Sequence, residues 1–205
     1  MDAFIQACIH LDPIALVRAG GYLGIALIVF AESGILLGIF FPGDSLLFTA
    51  GLLSAGGFLS IVPLTLLVII SAILGDSVGY WFGKKVGNAI YTRPDSRFFK
   101  QTYVTRTQAF YAQYGGRAIV LARFVPIVRT IAPILAGVGT MKYPRFLSYN
   151  LVGGTLWGAS MTLLGFSLGS LIPEAERYIL PIALAIIVLS FLPIVFEYLR
   201  NKRAA

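Results

Sequence analysis

The sequence predicts an all-α integral membrane protein of one domain, built as an inverted repeat. Two re-entrant hairpins are each followed by a full transmembrane helix, with an amphipathic cytoplasmic helix between the repeats and a C-terminal transmembrane helix after them. Three observations predict this. Of 205 residues, 58% are hydrophobic and 12% charged, against about 45–50% and about 25% in soluble domains. Residues 45–75, 146–173 and 178–196 carry no formal charge, and a run of about 18 already marks a candidate span. Two further apolar segments are interrupted by prolines and ionisable residues. A soluble domain of this length needs a polar exterior and cannot hide that much apolar surface.

Residues 1–18 read as a short mixed helix or arm interrupted by Pro13. No Lys or Arg precedes Arg18, which is the wrong charge for a cleavable signal peptide. Cys8 is the single cysteine, so it has no disulfide partner or cysteine metal cluster and is expected to be a small buried residue.

The first repeat is assigned to residues 19–87. Residues 19–41 are apolar except for Glu32, and Pro42-Gly43-Asp44-Ser45 then breaks the pattern. Asp44 or Ser45 is placed to cap a helix beginning at Leu46. Residues 45–55 extend only about 16 Å as a helix, roughly half the hydrocarbon thickness. They are therefore read as one arm of a re-entrant hairpin, ended by Gly56-Gly57, whose other arm lies within residues 21–40. Residues 63–84 form the first full span. Ser71, Gly75, Gly79, Gly83 and Gly87 recur there every four residues, the spacing that lets a second helix backbone approach. Asp76 lies inside this span and requires a polar partner.

Residues 84–117 hold seven Lys and Arg against Asp95 alone. Pro94 suits a helix start and Gly115-Gly116 a helix end, while Phe99, Tyr103, Phe110 and Tyr114 recur near one face. Residues 93–115 are thus read as an amphipathic interfacial helix on the cytoplasmic surface. The net charge of +7 is read as setting topology; no nucleic-acid partner is expected.

The second repeat is assigned to residues 116–170. Arg123, Pro126, Arg129 and Pro133 break residues 118–141, poor material for a span and good material for a second re-entrant hairpin. Residues 146–170 then cross outward and 178–198 return. Arg200, Lys202 and Arg203 place the C-terminus on the cytoplasmic side, and by the same parity the N-terminus is external. Ala50-Gly51 and Gly79–Gly83 recur 86 residues later as Ala136-Gly137 and Gly165–Gly169. Inverted repeats of broken helices are a transporter plan.

Glu32, Asp44, Arg123 and Arg129 lie where the chain breaks at membrane depth, each at a cost of about 2.5–3.5 kcal/mol on insertion scales for Asp or Arg at a helix centre. Two acids in one broken segment and two bases in the other can offset each other. Their flanks carry further information. Glu32-Ser33-Gly34, Phe41-Pro42-Gly43-Asp44-Ser45-Leu46-Leu47, Gly75-Asp76-Ser77-Val78-Gly79-Tyr80, Tyr114-Gly115-Gly116 and Ala122-Arg123-Phe124-Val125-Pro126-Ile127-Val128-Arg129-Thr130 resemble the bacterial DedA family from about Glu32 to Gly169. Pro133 and Gly137 continue the match. The resemblance implies a transporter-like fold with two re-entrant hairpins, distantly shared with eukaryotic lipid scramblases, in the bacterial cytoplasmic membrane. It implies transport of undecaprenyl phosphate driven by the proton gradient. It also implies that Glu32 and Asp44 couple protons and that Arg123 and Arg129 bind phosphate, with Pro42, Gly43, Asp76, Pro126, Pro133 and Gly137 in support.

The residue chemistry agrees. A lipid phosphate suits a bidentate guanidinium better than an ammonium, and broken helices offer backbone N–H groups to an anion. A carboxylate in a low-dielectric cavity can accept a proton near neutral pH, and in doing so releases an arginine. Glu32, in an apolar segment, is the expected carrier; Asp44 has local N–H donors that hold it ionised.

Rival classes fit less well. Histidine-based lipid phosphatases and serine proteases have only His10 to draw on, and an aspartyl protease built on Asp44 and Asp76 lacks the flanking motif, so no enzyme activity, cofactor or metal is expected. A proton-coupled exchanger of small cations or osmolytes would use the acids but has no need of two arginines. A passive scaffold or scramblase supporting the envelope predicts no substrate-linked, gradient-driven flux. The expected partners are the anionic lipid, protons and the bilayer, and a homo-oligomer is compatible with all of this.

Overall fold

The computed structural model describes residues 13–34, 43–92 and 101–171. Every regular element among them is helical: α1 Pro13–Gly34, α2 Gly43–Ala55, α3 Ile61–Thr92, α4 Gln101–Tyr114, α5 Arg117–Ala122, α6 Pro126–Val138 and α7 Tyr143–Leu171. Three stretches are long and apolar enough to cross a bilayer, Pro13–Gly34, Ile61–Asn88 and Tyr143–Leu171. Pro42, Cys8, His10, Pro94 and the expected span 178–198 lie outside the described residues.

Pro13 and Arg18 both lie in α1, and the rest of the expected arm, residues 1–12, is outside the described residues. Within α1 a break comes at Gly21, with φ 51° and ψ −147°, a conformation open to glycine. One helix start differs from expectation: α2 is already helical at Gly43, so Asp44 sits in its first turn, where the helix dipole favours an acid, and does not cap a helix starting at Leu46. At 13 residues, α2 is about 20 Å long and too short to cross alone.

Helix ends follow the glycines. Gly57, at φ 83°, closes α2: its N–H bonds the Ser54 carbonyl at 3.1 Å and the Phe58 N–H bonds Leu53 at 3.1 Å, the double bond pattern of a left-handed cap. Gly115, at φ 62°, closes α4 with one bond from its N–H to Tyr111. Thr140 does the same for α6 at φ 57°, its N–H on Gly137 and the Met141 N–H on Ala136. A β-branched residue pays more there than glycine.

The described chain divides into two compact units. In the first (residues 13–25, 43–65 and 160–171), α2 packs on the end of α7. A methyl group placed on Gly51 would fall on the Thr162 carbonyl oxygen, and one on Gly165 on the Phe48 carbonyl oxygen. Thr65 and Thr162 share a hydroxyl hydrogen bond of 3.0 Å. In the second unit (residues 26–34, 66–92 and 101–159), α6 packs on α3 in the same manner. A methyl on Gly137 would fall on the Tyr80 carbonyl oxygen, and one on Gly83 on the Ile134 carbonyl oxygen. The 86-residue recurrence thus coincides with a recurring contact, in which the short helix of one repeat packs on the span of the other. The small-residue ridge of α3 also seats α1: a methyl on Gly75 would lie 2.6 Å from the Phe30 carbonyl oxygen.

The core of the second unit is aromatic. Tyr80 stacks on Phe146 with centroids 4.7 Å apart and donates its hydroxyl to the Met141 carbonyl. Tyr111 donates to the Ala132 carbonyl at 2.8 Å, and burial raises its phenol above the ordinary range. On α4, Phe110 and Tyr114 are exposed while Tyr111 is buried.

Candidate functional site

Four charged side chains meet inside the second unit, although each is nearly inaccessible: Glu32 at 3%, Asp76 at 2%, Arg123 at 3% and Arg129 at 8% exposure. They form two ion pairs, Arg129 with Glu32 and Arg123 with Asp76. Burial of either pair member alone would be costly, so the pairing is what permits the cluster.

The local sequence explains how the arginines get there. Arg123 follows α5 at the turn Arg123-Phe124-Val125, and Pro126 restarts the chain as the first residue of α6. The break lets the Arg123 side chain leave the helix axis and reach α3. Its Nη2 donates to Asp76 Oδ2, to Asn150 Oδ1 at 2.8 Å and, at 3.5 Å, to the Ala72 carbonyl. Arg129 sits one turn into α6, its N–H on the Val125 carbonyl at 2.9 Å. Its guanidinium carbon lies 4.8 Å from the Trp157 ring centroid, and that of Arg123 lies 5.7 Å from the same ring. An indole face is a favourable surface for a desolvated guanidinium, worth about 0.5–2 kcal/mol.

Helix α7 supplies the floor. Asn150 is fully buried, and its Nδ2 donates to the Ile73 carbonyl at 3.1 Å, which fixes its oxygen toward Arg123. Gly153 and Gly154 leave room for the arginine: methyl groups there would stand 3.3 Å from Arg123 Cγ and 3.5 Å from Nη2. A larger residue at either position would press on the side chain that bridges the pair.

Among the residues expected from sequence, Glu32, Arg123 and Arg129 are brought together. The acid opposite Arg123 is Asp76, which was expected only in support. Asp44 lies half-buried in the first turn of α2, in the other unit. Gly43 is buried beside it, Pro126 opens α6, Pro133 lies inside α6, and Gly137 provides the close approach to α3. Sequence reasoning missed Asn150, Trp157 and the Gly153-Gly154 pair. Asn150 is the only carboxamide in the uncharged run 146–173, and that was a usable signal. No group of His, Cys, Asp and Glu among the described residues is arranged to hold a metal.

Comparison with known proteins places these features. Residues 41–167 match the VTT domain. Protein DedA of Escherichia coli is 40% identical over 208 residues, covering 100% of this chain and 94% of that protein. An uncharacterised membrane protein of Mycobacterium tuberculosis is 45% identical over 202 residues, covering 95% of this chain and 88% of its own. The inner membrane protein YqjA of Escherichia coli is 34% identical over 148 residues, or 72% of this chain and 67% of its own. No solved structure matches. With a domain match over most of its length and relatives that it covers almost completely, the chain belongs to the DedA family of VTT-domain membrane proteins.

Proposed function

We propose that this protein carries a polyprenyl phosphate, undecaprenyl phosphate by resemblance, across the bacterial cytoplasmic membrane under the proton gradient. One observation carries the reading: two guanidinium groups are buried against one indole, each held by a carboxylate. Phosphate competes for an arginine in the same geometry as a carboxylate. When Glu32 takes a proton its hold on Arg129 weakens, and the guanidinium is released to phosphate; when the proton leaves, the ion pair reforms and the phosphate is expelled. An exchanger of small cations has no use for the arginines. The test is reconstitution of the purified protein with labelled undecaprenyl phosphate, with and without an imposed pH gradient. Flux that ignores the gradient ends the coupling model; absence of flux ends the transport model.

Arg129→Lys keeps the charge and loses the planar fork. A lost charge-assisted hydrogen bond is worth about 1.5–3 kcal/mol, so flux is expected to fall about 10- to 100-fold at unchanged membrane abundance. Undiminished flux would mean that a point charge suffices.

The reading includes two re-entrant hairpins, a cytoplasmic C-terminus and Asp44 as a further proton-coupling acid. Cysteines replacing Arg18 and Gly57 are expected to label from the same, external side. Labelling of the Arg18 position from the cytoplasm alone would replace the first hairpin by a full crossing of α1.

A further inference from the structure

We propose that Asp76 is a second proton-binding site, matched to Arg123, so that the buried cluster takes up one proton for each negative charge of the phosphate it admits. This rests on the transport reading above and adds to Glu32, the acid paired with Arg129, the acid paired with Arg123.

The pairing is one to one. Arg129 is held by Glu32 and Arg123 by Asp76, so presenting both guanidinium groups to a phosphate requires both carboxylates to let go. Among the described residues the charged groups facing Asp76 are few. Arg123 comes from the turn before α6, and Arg129 on α6 lies within its electrostatic reach. Glu32 on α1 is within reach of Arg123. Helix α7 presents the neutral Asn150 and, one residue along α3, the Tyr143 phenol bonded to Ser77 Oγ at 3.3 Å. On α3 itself the nearest other charge is Lys84, two turns away.

The charge count then sets the stoichiometry. Two carboxylates and two guanidinium groups leave the buried cluster neutral. A phosphate monoester carries about −1.5 to −2 near pH 7, its second pKa being about 6. Admitting a dianion would leave two uncompensated negative charges in a site where each buried ion costs several kcal/mol. Two protons restore neutrality, one on Glu32 and one on Asp76. Each step forms only an O–H bond on a carboxylate, with the proton drawn from the aqueous side where the lipid enters. Both guanidinium groups stay charged throughout and turn their N–H groups to the phosphate oxygens.

Asn150 makes such a step possible at Arg123. The same Nη2 that donates to Asp76 also donates to Asn150 Oδ1, whose amide nitrogen is committed to the Ile73 carbonyl. When Asp76 is neutralised, this acceptor keeps the guanidinium in place without adding charge, and a carboxamide takes up no proton of its own. Asn150 is a positioning residue in this scheme.

The experiment measures proton uptake directly. The purified full-length chain in detergent, weakly buffered at pH 8 with an indicator dye, is titrated with undecaprenyl phosphate and, as control, with the neutral undecaprenol. At that pH the free phosphate is already a dianion, and the carboxylate variants assign the uptake to individual side chains. The wild type is expected to take up about two protons per phosphate lipid bound and none with the alcohol. Glu32→Gln and Asp76→Asn are each expected to take up about one. Asp76→Asn combined with Asn150→Asp returns a carboxylate to the same guanidinium and is expected to return the second proton. Uptake by Asp76→Asn equal to wild type overturns the inference. Should that variant fold poorly, Glu32→Gln combined with Asp44→Asn decides: about one proton retained there comes from Asp76, and none overturns the inference. Wild type that binds the lipid with about one proton, lost in Glu32→Gln, leaves the transport reading standing and removes the second site. Wild type that binds no phosphate lipid removes both.

Discussion

Replacing Arg123 by alanine is expected to destabilise the protein by roughly 3–5 kcal/mol, the usual cost of removing one partner of a buried ion pair. Asp76 would be left at 2% exposure without its cation, either charged in an apolar span or neutralised by a proton, and in both cases without its buried partner. Asn150 Oδ1 and the Ala72 carbonyl would lose their donor at the same time. Most of the protein is expected to be lost from the membrane or to aggregate in detergent. The double replacement Arg123→Leu with Asp76→Leu removes both charges together, and apolar substitutes for a buried pair are often neutral or better. That variant is expected to recover folded protein while remaining without flux. Size-exclusion recovery and thermal melting in detergent decide the matter. If Arg123→Ala melts like wild type, Asp76 does not depend on Arg123, and the cluster described above is not holding the fold.

The second large effect is a contrast between two glycines one helical turn apart. At Gly83 a methyl group would overlap the Ile134 carbonyl oxygen and stand 2.8 Å from the Ile134 Cα. Those are backbone atoms, so the whole of α6 would have to shift. Overpacking of this kind costs about 1–3 kcal/mol and sometimes more, and Gly83→Ala is expected at the upper end. At Gly79 the nearest atoms would be 3.6 Å away, side-chain atoms of Ile134 and Pro133, which is ordinary contact. Alanine in a helix interior gains up to about 1 kcal/mol over glycine, so Gly79→Ala is expected to melt at or slightly above wild type. Equal melting temperatures for the two variants would contradict the packing of α6 on α3.

Much of this was legible before any coordinates. Uncharged runs located two of the three long helices, because a bilayer tolerates few charges and the chain must advertise that fact in composition. The four-residue glycine spacing announced close packing on α3, and Arg123 and Pro126 announced that residues 118–141 are a broken segment and not one span. What escaped were facts that depend on distance in sequence. Arg123 and Asp76 lie 47 positions apart, and nothing in either neighbourhood says which acid an arginine will choose. Trp157 and Asn150 are hidden in an apolar run, where an indole reads as bulk and one carboxamide reads as noise.

The exchange of short helices between repeats has a consequence for how the chain is made. Gly51 is packed by the backbone of Thr162 and Phe166, which emerge about 110 residues later. At about 5–20 residues per second of synthesis, α2 waits about 5–20 seconds for its seat, while being too short to span the bilayer unaided. Gly137, by contrast, is synthesised after Tyr80 and Lys84 and finds its surface already in place. The second unit can close as soon as α7 is half made; the first has to hold an apolar segment in reserve until the far end of that helix arrives. The earlier of the two short helices to leave the ribosome is the later one to be packed.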